Sequence, residues 1–150
     1  MAPAVYNGLV KSLFRPSISH EGTTVEGLQR ALVAARTAQE NRGRDVVVLD
    51  LRELTPMFDF FVLATGTSRR QLHAMSEEID HALEEGLGDK RIGIEGYQES
   101  RWVLLDYGDI VIHLFEPETR SYYALEELWG RAKRVPLEPL ARAELPAETP

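Results

Sequence analysis

The segment from Arg101 to Phe115 constrains this chain more than any other. Two strand-like runs, Arg101 to Asp106 and Asp109 to Phe115, flank the turn dipeptide Tyr107-Gly108, the pattern of a β-hairpin. Strand side chains alternate between faces. With Tyr107-Gly108 as a two-residue loop, Asp106 faces Asp109, Leu105 pairs with Ile110, Leu104 with Val111, Val103 with Ile112 and Trp102 with His113. One face is then aliphatic throughout (Val103, Leu105, Ile110, Ile112, Leu114) and reads as core under helices. The other carries Trp102, Leu104, Asp106, Asp109, Val111, His113 and Phe115, a mixture that reads as an interface, with aromatic anchors beside polar groups. A rival reading buries Trp102 and Phe115 beneath a helix or the N-terminal segment. The register is also open, because a type I turn with a bulge at Gly108 would move the second strand by one residue.

The rest of the chain supplies helices and further strands. Thr23-Thr24-Val25-Glu26 has capping-box spacing, Leu28, Leu32 and Ala35 follow at helical intervals, and Gly43 is a plausible stop. Asp45 to Leu51 and Phe60 to Ala64 are apolar runs of strand length. Ser68-Arg69-Arg70-Gln71 is a second capping box, before a helix face of Leu72, Met75, Ile79 and Leu83 that Gly86 and Gly88 end. Ile92-Gly93-Ile94 reads as a short strand. A last helix is expected from Ser121 to Ala132, with Tyr122, Leu125, Leu128 and Trp129 spaced for burial. The order α-β-β-α-β-β-β-α predicts an α/β or α+β fold, a sheet of about five strands with helices packed on it. One domain over residues 23–135 is expected. Residues 1–22 read as a flexible extension, and residues 136–150, rich in proline, as a flexible tail. Met1 to His20 carries Lys11 and Arg15 without an acid, a composition that also suits a transit peptide, so a cytoplasmic location is expected with organellar targeting as the alternative.

Composition narrows the chemistry. The chain of 150 residues has no cysteine, which removes disulfide scaffolds, Cys-based zinc sites and thiol nucleophiles. No apolar run approaches the length of a membrane span. The net charge of -7 repels phosphate backbones, so no direct nucleic-acid binding is expected and a basic protein surface is the better partner. Gly66-Thr67-Ser68 lies between a strand and a helix start, where a phosphate could sit, but no Walker-type motif or Asp-x-Asp accompanies it, and a tight turn plus a helix cap is the better reading. His73, Glu77 and His81 share a helix face. Eight residues span about 12 Å, too far for both histidines to hold one ion. His113 stands alone in an apolar strand without a paired serine or acid. No catalytic residue, metal or cofactor is expected.

Several segments together resemble one family. They are Val48 to Leu51, Asp59 to Gln71, Glu95-Gly96, Trp102 to Phe115 and Tyr123 to Trp129. In this order they look like the ribosomal silencing factors, also called RsfS or Iojap, over about Leu28 to Val135. The resemblance implies a nucleotidyltransferase-like fold without established transferase activity. It also implies binding to the large ribosomal subunit at ribosomal protein L-fourteen, steric blocking of small-subunit joining, and damped translation. On that reading the mixed hairpin face docks, with Trp102, Leu104, Asp106, Asp109, His113 and Phe115 as partner-binding residues. The rivals are a divalent-metal nucleotidyltransferase using Gly66 to Ser68, and a self-associating module that uses the same face in a homodimer.

Overall fold

The computed structural model describes residues 24–137, and Thr23 of the first capping box and most of both terminal segments lie outside them. Helix α1 (Thr24–Glu40) is followed by β1 (Arg44–Asp50), β2 (Phe60–Thr65), α2 (Arg69–Leu87), β3 (Gly93–Glu95), β4 (Trp102–Asp106), β5 (Ile110–Phe115), α3 (Pro117–Tyr123), α4 (Leu125–Leu128) and β6 (Lys133–Arg134). The strands form one mixed sheet in the order β3-β4-β5-β2-β1-β6. The β2–β5 pair is parallel and the others are antiparallel. This is the expected α+β class, with β6 as a short additional edge.

The central strands are buried along their whole length and mostly apolar, because both faces of the sheet are covered. On one face α1 and α2 pack Ala31, Ala35, Leu72, Met75 and Ile79 against Val62, Val103, Ile112 and Leu114. The small alanine stripe lets α1 lie close to the sheet. Helix α2 starts where the sequence indicates, with Ser68 as N-cap accepting from the Gln71 N–H at 3.1 Å. It runs through Gly86 and ends at Gly88, whose φ of 68° is the left-handed cap that glycine adopts without steric cost. Val135 and Leu137 pack partly against the same core, and the Val135 N–H donates to Val48 O at 2.9 Å.

Two expectations are corrected. The hairpin turn is centred on Gly108-Asp109, closed by the Tyr107 N–H donating to Ile110 O at 3.0 Å. Gly108 takes φ 93° at the first central position, whereas a Tyr107-Gly108 turn of type I′ would force a tyrosine to positive φ. Each β4 residue therefore meets a partner two places further on, Leu105 with Ile112 and Trp102 with Phe115. An even shift preserves which side chains share a face. The last helix is also broken. Ala124 sits at φ 47°, ψ 50° between α3 and α4, so the helical phase does not carry through. Leu125 is buried, but Tyr122 is 76% exposed and Leu128 64%. Tyr123 and Trp129 pack in part against the sheet.

Candidate functional site

The expected docking face is covered. Trp102, Leu104, His113 and Phe115 lie in a second core, between the sheet and the α3–α4 segment, with Phe61, Leu63, Val111 and Leu125. None of the six residues expected to bind a partner is more than 7% exposed. The rival reading, Trp102 and Phe115 buried beneath a helix, is the one the packing adopts. Tyr123 closes the layer, with its ring 5.1 Å from Trp102, and Trp129 stands edge-on to Phe61 at 5.9 Å.

His113 is at the centre of this layer. The Trp102 indole N–H donates to His113 Nδ1 at 3.1 Å. An indole nitrogen only donates, so Nδ1 is the bare nitrogen and the proton sits on Nε2. That Nε2 has no hydrogen-bond partner among the described residues. Burial pushes the imidazole pKa down to about 3, so the ring is neutral at physiological pH. Phe61 stands edge-on to it at 4.5 Å and Phe115 stacks at 6.1 Å.

The two hairpin acids serve the turn and the opposite layer. Asp106 Oδ1 accepts the Gly108 N–H at 2.8 Å, a local turn contact. Asp109 leaves the mixed face and reaches Arg30 of α1, its Oδ2 2.6 Å from Nη2. Arg30 also holds Asp89 at 2.6 Å, so one guanidinium ties α1 to the hairpin turn and to the chain beyond α2. Asp109, 4% exposed and neutralised by Arg30, gives little attraction to a basic partner.

The phosphate-loop candidate is a built turn and cap. A Cβ at Gly66 would lie 2.8 Å from Leu72 Cδ2 and 2.9 Å from Met75 Cε, so the glycine is there for close packing on α2. The Thr67 N–H donates to Gln71 Oε1 at 2.8 Å. The Gly66 N–H donates to Phe115 O, at the far end of β5 from Asp109. Asp109 stands six residues from Phe115 along the strand, about 20 Å, so the loop and that carboxylate cannot share one nucleotide. His73, Glu77 and His81 are likewise separated in use. His73 Nε2 lies 2.7 Å from both Tyr97 O and Ser100 Oγ, Glu77 accepts from the Tyr97 hydroxyl, and His81 faces Glu85.

What the sequence reading missed is an aromatic path from this core to the surface. Trp102 touches Tyr123, and Tyr123 touches the exposed Tyr122 at 4.9 Å. Phe61 touches Phe58, next to the half-exposed Met57. The doubled Tyr122-Tyr123 was the available signal.

The profile of the family described as "Ribosomal silencing factor during starvation" matches residues 24–149, which is most of the chain. The chain belongs to the ribosomal silencing factor family. The Bacillus subtilis ribosomal silencing factor RsfS is 42% identical over 101 residues, covering 67% of this chain and 84% of that protein. The mouse protein named "Mitochondrial assembly of ribosomal large subunit protein 1" is 40% identical over 93 residues, 61% of this chain but only 40% of its own length. A crystal structure of a Chromobacterium violaceum protein superposes with a TM-score of 0.66 at 36% identity, covering 69% of this chain and 85% of that one. The family resemblance read from the segments is thus correct, and the family name describes a regulatory factor rather than an enzyme. No helix among the described residues is long and apolar enough to cross a membrane.

Proposed function

We propose that this ribosomal silencing factor binds the large ribosomal subunit at ribosomal protein L-fourteen and, by occupying that surface, stops the small subunit from joining. The cytoplasm is the proposed compartment. The observation that carries the docking surface is the exposed Tyr122, 76% accessible, edge-on to Tyr123, whose ring in turn meets the buried Trp102. A large aromatic ring held out to solvent on a rigid aromatic base is pre-organised as an anchor. Leu128 and Met57, next in sequence to Trp129 and Phe58 of the same core, are exposed apolar residues as well. The hairpin residues Trp102, Leu104, Asp106, Asp109, His113 and Phe115 act in this reading mainly from beneath, by fixing where the outer layer stands. An acidic chain suits a basic ribosomal protein, and the name of the mouse relative refers to the large subunit.

The test is co-sedimentation of the full chain with purified large subunits, followed by light scattering of subunit joining. The protein should sediment with large subunits and reduce joining in proportion to occupancy. Tyr122→Ala with Leu128→Ser should weaken binding by about 30-fold, roughly 2 kcal/mol, without moving the urea midpoint. A chain that stays in the supernatant, or one that binds and leaves joining unchanged, refutes the reading.

A further inference from the structure

We infer that Arg42, Arg44, Arg69 and Arg70 form a second contact surface, which grips the phosphate backbone of structured RNA. The inference rests on the large-subunit reading for its partner. The observation behind it is a segregation of charge that composition hides. Arg30, Arg52, Arg91, Arg120, Lys133 and Arg134 each hold a carboxylate. Arg42, Arg44, Arg69 and Arg70 are all exposed, and none pairs with a described carboxylate.

Tertiary structure brings the segments that carry the four side by side. Arg42 lies in the turn after α1, Arg44 opens β1, and Arg69 and Arg70 open α2. Gln71 clamps the pieces, its Nε2 donating to Asn41 O at 3.2 Å and Arg42 O at 2.9 Å. Arg44 stands opposite Thr65, just before the loop that leads into α2. One shallow recess is lined by Arg42, Arg44, Thr67 and Gln71, and another by Arg69, Arg70, His73, Ala74 and Glu77. Arg42 holds φ 63°, a left-handed backbone that is strained for an arginine and open to a glycine at almost no cost. The nearby acids are few. Asp45 follows Arg44, Glu40 faces Arg36, and Glu77 is engaged with Tyr97.

The chemistry selects the partner. A guanidinium presents two parallel N–H donors that match phosphate oxygens. On a ribosomal surface the main alternatives are basic proteins, which repel arginines, and RNA, which attracts them. The net charge of -7 opposes capture of free RNA, but screening confines each charge to about 8 Å at physiological salt. The patch therefore adds affinity once another surface has docked the chain, as a second point of attachment. This revises the expectation that an acidic chain avoids nucleic acid altogether.

The experiment compares the full chain with Arg69→Glu/Arg70→Glu on purified large subunits between 50 and 200 mM salt, using Lys90→Glu/Arg131→Glu as the charge-matched control. The patch variant should lose about 10-fold or more in affinity, and its dependence of log affinity on log salt should flatten by about two. The control should stay within about threefold. Equal salt slopes for variant and unmodified chain overturn the inference, and so does an equal loss in the control. An equal loss on isolated ribosomal protein L-fourteen also overturns it, by assigning the patch to protein. If the unmodified chain does not bind subunits, the docking reading fails first. The patch, which acts only once another surface has docked the chain, falls with it, whereas intact binding with equal salt slopes overturns the patch alone.

Discussion

Replacing His113 should make the stability of this protein less sensitive to mild acid. In the fold the imidazole is neutral with a pKa of about 3, because burial among Phe61, Trp102 and Phe115 leaves no solvent for a charge. In the unfolded chain it returns to about 6.5. Between these values only the unfolded chain binds the proton. The stabilising contribution is therefore complete above pH 6.5 and falls as the pH drops from there towards 3, with a limiting slope of about 1.4 kcal/mol per pH unit. From pH 8 to pH 5 the loss attributable to this one ring is about 2 kcal/mol. The assay is urea unfolding at half-unit pH steps for the unmodified chain, His113→Gln and His113→Leu. Both variants lack the titration, so their stability relative to the unmodified chain should rise by about 2 kcal/mol from pH 8 to pH 5, whatever offset they carry at pH 8. Carboxylate effects are common to all three and cancel. Parallel curves, or a His113 resonance that titrates near 6.5 in the folded protein, would refute the burial argument.

Trp102→Ala should cost about 3–5 kcal/mol in urea unfolding, and Val103→Ala about 2, because both neighbours are buried, on opposite faces of β4. A Trp102 variant of unchanged stability would place that ring outside the core. Asp109→Asn should destabilise by up to about 3 kcal/mol by leaving Arg30 with Asp89 alone, and Arg30→Met with Asp109→Leu should recover much of the loss. Failure of the double variant to recover would show that the pair is not coupled. A chain cut to residues 23–137, which keeps Leu137 on the core, should retain the unfolding midpoint within a few degrees by calorimetry. A larger drop would assign packing to the terminal segments.

Local rules made much of the fold legible. Ser68 and Gln71 cap α2 as their spacing indicates, Gly88 ends it, and the alternation of β4 and β5 assigns Val103 and Ile112 to the helix side. These features depend on neighbours within a few residues, so the sequence alone determines them. The hairpin partition even survived a wrong turn, because a two-residue shift leaves strand parity unchanged. What covers the other face was not local. Alternation separates Trp102 from Val103, but only the break at Ala124 and the return of Leu125 and Trp129 decide that Trp102 is inside and Tyr122 outside. The same holds for charge. A net charge of -7 is a sum over the chain, whereas the pairing of Arg30 with Asp109 and the gathering of Arg42, Arg44, Arg69 and Arg70 follow from which distant segments the sheet brings together. Electrostatic interaction falls with distance and screening, so a partner meets the local arrangement, and tertiary structure alone sets it.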